Sequence, residues 1–233
     1  MVHSFLMIGQ SNMAGRGLIG EEPPIENANL FMLRNGRWYP LSEPVNYDRP
    51  FAGVSLAVSF ADEYQKKFGG QAGLIPCADG GTSLEDWREG GQLYTHAVYQ
   101  CGLAKNISEV KGVLWHQGEG DSGDEKNASS YAKRFSGMIK ALLRDCGVEG
   151  APVILGELGY FLKDNPKNAE PFFPVVNREL AKLAAENRGM ALAGAEGLVS
   201  KGDNLHFDSK SLREFGRRYF QKYLELTGSA KTG

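Results

Sequence analysis

The chain has 233 residues, with 26 basic and 28 acidic side chains, 42% apolar content and a formal charge of −2. That length suits one large domain or two small ones and buries roughly 70–75% of the unfolded surface, so no disulfide or metal staple is required. The composition is that of an ordinary globule, and the lack of a basic surplus excludes a protein that binds nucleic acid by neutralising phosphates.

Residues 2–8 read as a buried strand running into Gly9-Gln10-Ser11. No Lys or Arg precedes that turn and no cleavage pattern follows it, so no signal peptide is expected. The expected compartment is the cytoplasm, or the cell exterior if a native leader precedes this sequence. Residues 29–33 and 37–41 flank Asn35-Gly36, a dipeptide that favours the positive φ angles of a type I′ hairpin turn. Residues 56–68 carry apolar side chains at helical spacing and end at Gly69-Gly70. A short strand follows at 71–76, then a helix at 93–105 and an apolar strand at 110–115. Helical spacing returns over 129–146, closed by Gly147. The remaining expectations are a strand at 152–155, a helix at 169–187, a strand at 190–193 and an amphipathic helix at 209–227.

Strands thus alternate with helices, apart from the early hairpin. Continuous apolar strands separated by helices imply a parallel sheet covered on both faces. Right-handed crossovers place the loops after the strands on one edge, where ligands bind in such sheets. Residues 1–227 are expected to form one domain and 228–233 a flexible tail. No run approaches the ~20 apolar residues of a membrane span. Cys77, Cys101 and Cys146 are odd in number and widely spaced, which suits reduced thiols.

Four polar constellations follow strands. Ser11, flanked by glycine at a strand-to-helix turn, can present a nucleophilic hydroxyl, with its own N–H and a helix start nearby to favour an oxyanion. Taken alone, a serine at this position is more often a helix cap. Asp203 and His206 are three residues apart, so the acid can hold one ring nitrogen while the other faces a nucleophile; a surface turn explains the pair as well. In His116-Gln117-Gly118-Glu119-Gly120-Asp121, Gln117 can donate to an oxyanion, and Glu119 can accept from His206 or from a substrate hydroxyl. A metal centre is not expected, because H-E-x-x-H, cysteine-cluster and EF-hand spacings are missing. Gly80-Gly81-Thr82-Ser83-Leu84 can bring backbone N–H groups close to a ligand but lacks the ending of a phosphate-binding P-loop.

With these motifs the chain resembles the SGNH hydrolase superfamily, over residues 4 to about 220. Within it, the Ser11 block and the HQGE-type block are similar to the sialate O-acetylesterase-like and acetylxylan-esterase branch (carbohydrate esterase family six). The resemblance implies a three-layer α/β/α sandwich, flavodoxin-like, with a five-stranded parallel sheet and a small inserted hairpin. It implies Ser11 as nucleophile, His206 as general base and Asp203 as its orienter, with Glu119 competing for that last role. It implies oxyanion donors from the Ser11 N–H, from Gly80 or Gly81, and from the Gln117 side chain. Gln10, Asn12, Arg16 and Trp87 are expected beside the substrate, with Trp38 and Tyr160 as further candidates for stacking on a sugar. An Arg16 facing the pocket would favour an acidic sugar.

The expected activity is removal of acetyl groups from sugar hydroxyls, on a xylan-type oligosaccharide or related glycan, with no cofactor. A sialic acid O-acetylesterase is the alternative. A catalytically silent carbohydrate-binding module on the same fold, or a lipase or thioesterase with an apolar acyl channel, are the rivals. Neither nucleic acid nor membrane is an expected partner. Of the remaining histidines, His3 is expected to be structural, His96 to lack a partner and His116 to support the oxyanion loop.

Overall fold

A computed structural model describes residues 1–229. Seven strands form one sheet in the order β3-β2-β4-β1-β5-β6-β7. The central strand β1 (Val2–Gly9) lies between β4 (Gln71–Pro76) and β5 (Ser108–His116), parallel to both. Beyond β5, also in parallel, come β6 (Val153–Gly156) and β7 (Met190–Ala193). The alternation along β1 divides its side chains between two cores. Leu6 and Ile8 join one cluster, together with α3 (Gln92–Lys105), α5 (Tyr131–Cys146) and α6 (Phe173–Glu186). Phe5 and Met7 join the other, against α2 (Leu56–Phe68) and α7 (Ser209–Ser229). This is the expected three-layer α/β/α sandwich, produced by strands that are apolar on both faces.

The local signals act as their chemistry dictates. Ser55 caps α2 by accepting from the Ala57 N–H, and Gly69 ends the helix at φ 70°. Gly147 ends α5 in the left-handed conformation. Asn35 and Gly36 take φ values of 48° and 70° in the hairpin turn.

Three details differ from the sequence reading. The hairpin is part of the main sheet: β2 (Leu30–Arg34) pairs in parallel with β4, and β3 (Arg37–Pro40) returns antiparallel at the edge. The sheet therefore has six parallel strands and one antiparallel strand, where five parallel strands were expected, because an Asn-Gly turn specifies its two flanking strands and not the partner across the outer edge of the first. The helix expected over 129–146 is α5 and begins at Tyr131, and a separate short helix that was not expected, α4 (Glu125–Ser129), precedes it across Ser130. The last helix continues through Ser229, two residues into the expected tail, while residues 230–233 of that tail lie outside the described residues. Among the described residues no helix is long and apolar enough to cross a membrane.

Candidate active site

Three strand ends are fastened together at one edge of the sheet. The Gln10 N–H donates to the His116 carbonyl at 2.8 Å, and the Asp79 N–H donates to the Gly9 carbonyl at 3.0 Å. Gly9 sits at φ 124°, and a Cβ there would collide with the His116 carbonyl, so only glycine permits this approach. Immediately beyond, α1 (Ser11–Ala14) makes a single helical turn. The aligned dipole is therefore short, and what the turn supplies is the Ser11 N–H itself.

The loop between β7 and α7 brings His206 to Ser11 across 195 residues of sequence. The His206 Nε2 stands 3.1 Å from the Ser11 Oγ, and its Nδ1 stands 2.7 Å from the Asp203 Oδ2. The second oxygen of Asp203 accepts the backbone N–H groups of Leu205 at 3.0 Å and His206 at 2.8 Å. Asp203 thus fixes the ring and its backbone together. With Nδ1–H donated to the carboxylate, Nε2 is left as acceptor for the serine hydroxyl. Partial burial opposes ionisation of Asp203, but the His206 and Leu205 hydrogen bonds and the imidazole outweigh it and hold the carboxyl down at about 2.

Glu119 occupies a different place. It is buried, and its Oε1 accepts from the Asn12 amide at 2.5 Å and lies 3.4 Å from the His116 Nε2. Burial pushes its carboxyl up, yet the His116 ring, its own N–H and Asn12 prevail, and it is held below the ordinary value. Asn12 also donates to the Leu205 carbonyl at 3.2 Å and accepts the Phe207 N–H at 3.2 Å. It therefore ties the turn after Ser11 to the loop that carries His206. His116 is fully buried, with its Nδ1 3.3 Å from the Tyr219 hydroxyl.

Several expected contacts with a ligand are corrected. The Gln117 amide donates to the Thr82 carbonyl at 3.0 Å and to Asp121 at 2.8 Å, and its Oε1 lies 2.9 Å from the Tyr131 hydroxyl. Both of its N–H bonds are spent inside the protein, so it has none for an oxyanion. The Gly80 N–H is likewise committed, to Asp48 at 2.8 Å. Gly81 has open space on the side where a Cβ would project. Asn12 is turned inward by the bonds just given. Gln10 is buried, and its Oε1 holds the Gly120 N–H at 3.1 Å. Arg16 is 3% exposed and forms a two-pronged pair with Asp48 at 3.2 and 2.5 Å, so it faces no pocket as a free cation. Trp87 is 0% exposed and packs edge-on against Trp115, so it offers no face to a sugar. Trp38 is partly buried against the core, while Tyr160 is exposed and donates to Glu157 at 2.6 Å. His96 does have a partner, Gln100, at 3.2 Å, and His3 bonds the Tyr64 hydroxyl at 2.9 Å.

The sequence reading missed two organisers of this edge. Asp48, in an irregular loop, neutralises Arg16 and holds the Gly80 N–H. Asp121 accepts from Gln117, from the Leu84 N–H at 2.7 Å and from Arg134 at 2.6 Å, joining the two loops that flank Ser11. Asp121 lay in a block already singled out, whereas no local pattern marks Asp48.

Comparison with known proteins adds an independent line. The model of a family described as SASA, carbohydrate esterase, sialic acid-specific acetylesterase, matches residues 1–225. A protein of Arabidopsis thaliana named probable carbohydrate esterase At4g34215 is 30% identical over 94% of this chain and 89% of its own length. The crystal structure of the Arabidopsis AT4G34215 protein superposes with a TM-score of 0.85 at 28% identity, covering 96% of this chain and 98% of the other. NanS superposes at 0.76 with 18% identity, covering 98% of both chains. XAC1771, a carbohydrate acetylesterase of Xanthomonas citri, superposes at 0.73 with 19% identity, over 97% of this chain and 56% of its own. The last two share the fold.

Proposed function

The chain belongs to the SASA family of carbohydrate esterases and is a carboxylic ester hydrolase, and from that premise we propose that it removes acetyl groups from sugar hydroxyls through an acyl-enzyme on Ser11. The observation that carries the reading is the line from Ser11 Oγ to His206 Nε2 at 3.1 Å and from His206 Nδ1 to Asp203 at 2.7 Å.

In this mechanism the Ser11 oxygen attacks the acetyl carbonyl while Nε2 takes its proton. Asp203 keeps the imidazole in the required tautomer and stabilises the imidazolium. The oxyanion is met by the N–H groups of Ser11 and Gly81, neither of which is spent on another group among the described residues. Collapse of this intermediate breaks the ester bond, and His206 returns the proton to the departing sugar oxygen. Water, deprotonated by the same nitrogen, then attacks the Ser11 ester and releases acetate.

Ser11→Ala is expected to lower kcat on 4-nitrophenyl acetate by about 10⁴–10⁶, because triad members act as a unit. It should also abolish labelling by a fluorophosphonate. Near-full activity in Ser11→Ala would overturn the reading, and an unlabelled wild-type protein would favour the silent binding module. Acetate release from acetylated xylan, mannan and sialic acids ranks the sugars. The xylan-type reading rests on an ester site with no free arginine at Arg16, and the sialate reading on the family description.

A further inference from the structure

His206 is held at two scales. Asp203 seats the ring within its own turn, through the Nδ1 contact at 2.7 Å and the N–H groups of Leu205 and His206. Further bonds close the loop on itself: the Lys201 N–H donates to the His206 carbonyl at 2.9 Å, and the Asp208 N–H to the Val199 carbonyl at 3.1 Å. None of these contacts fixes the distance from His206 to Ser11.

Asn12 spans that gap. It follows Ser11 directly, is 1% exposed and bonds the chain on either side of His206. Its Nδ2 donates to the Leu205 carbonyl and its Oδ1 accepts the Phe207 N–H, each at 3.2 Å. The second Nδ2 hydrogen goes to Glu119 at 2.5 Å. The whole amide is thereby spent, and its orientation is dictated. An ionised carboxylate only accepts, so the NH₂ must face Glu119 and the oxygen is left for Phe207. Glu119 is braced in turn by His116 at 3.4 Å, and His116 by the Tyr219 hydroxyl of α7 at 3.3 Å. Lys201 also reaches across, from its Nζ to the Arg16 carbonyl at 3.2 Å, but on a flexible four-carbon stem.

We propose that Asn12 is a positioning residue for ester hydrolysis: it sets His206 at working distance from Ser11, and Glu119 sets Asn12. The inference rests on the ester reading of Ser11 and gives a task to a buried amide with no hydrogen left for a ligand. Asp203 orients the imidazole within its turn, whereas Asn12 places that turn against the nucleophile. A misplacement of about 1 Å costs on the order of 10² in rate, which is the loss expected when this clamp opens.

Asn12→Ala and the isosteric Asn12→Asp are assayed on 4-nitrophenyl acetate, well below the melting temperature of each. In Asn12→Asp a carboxylate oxygen faces both Glu119 and the Leu205 carbonyl, so the clamp is repelled while the volume is kept. Both variants should lose about 10² in kcat with KM within about threefold. Their labelling by a fluorophosphonate should slow in parallel, because His206 must take the Ser11 proton there too. The acid limb of the kcat/KM profile should stay at its wild-type position, because the Asp203–His206 pair is intact. Adding Glu119→Gln to Asn12→Asp supplies an N–H to the new carboxylate and should recover about tenfold of the loss. A folded Asn12→Ala or Asn12→Asp with kcat within about threefold of wild type, a loss carried by KM, a displaced acid limb, or no recovery in the double variant would overturn the assignment. If Asn12→Ala does not fold, the two Asn12→Asp proteins give the same answer. Failure of the ester reading shows differently, as a wild type inactive on the ester and unlabelled by the fluorophosphonate, and it would take this assignment with it.

Discussion

The loop at 203–206 and the loop at 116–121 carry the same kinds of group, a histidine and a carboxylate three residues apart, at the same edge of the sheet. They are built for opposite purposes. In the first, His206 reaches Ser11, and Asp203 remains partly open to water, tied mainly to its own turn. In the second, His116 and Glu119 are buried, and every strong contact they make runs to the protein interior. A residue pair with acid–base chemistry becomes a reactive group only where one nitrogen is left facing a nucleophile. Elsewhere the same pair is scaffold.

The sharpest way to break this distinction is to neutralise each carboxylate in turn. Asp203→Asn should lower kcat by about 10⁴, the cost of losing the correct tautomer. Glu119→Gln should lower kcat by less than about tenfold and show its effect as a lower melting temperature. A reversal of these two results, read from initial rates on 4-nitrophenyl acetate, would make Glu119 the acid of the triad.

A second comparison concerns Gln117. Loss of an oxyanion donor costs about 10²–10³ in kcat. Because the Gln117 amide is spent on Thr82 and Asp121, Gln117→Leu should fall short of that loss. It should instead cost about 1–3 kcal/mol of stability through the stranded partners. Denaturant melts beside initial rates separate the two outcomes.

The smallest effect lies in acid stability. The Asp203 carboxyl is held at about 2, below its ordinary 3.8, so its stabilising contribution is complete above about 3.8 and is lost as pH falls through about 2. The melting-temperature gap between wild type and Asp203→Asn should therefore be constant near neutrality and close between pH 4 and 2. A gap that persists at pH 2 would show that the Asp203 bonds do not favour the ionised form.

Much of the architecture was legible because it is written in local patterns. The helix at 56–68 and the strands at 71–76 and 190–193 occur at the expected residues, since apolar period and glycine stops are properties of adjacent positions. Pro174 falls in the first turn of α6, which starts at Phe173 and not at 169, and proline is tolerated there because it has no N–H to donate and the first turn calls on none for the helix ladder. Less legible were the short helix α4 ahead of Ser130 and the outer pairing of β2, both settled by what packs alongside. Ser11, Asp203 and His206 were singled out from their motifs and are found together. Arg16 and Trp87 were singled out too, and both are buried, because a charge or a ring has no marker in the sequence for which way it faces.

The sequence by itself determined the alternation of strands and helices, the covered parallel sheet and the edge at which the polar blocks gather. Each follows from short-range spacing and from the handedness of the chain. Only the tertiary structure decided which carboxylate meets His206 and which amide hydrogens remain free. Those outcomes depend on hydrogen bonds between residues far apart in the chain, such as Asn12 with Glu119 and Arg16 with Asp48, each of which removes a group from the set available to a ligand. A buried polar group must find a partner, and only the folded chain shows whether that partner is the protein or is left for the substrate.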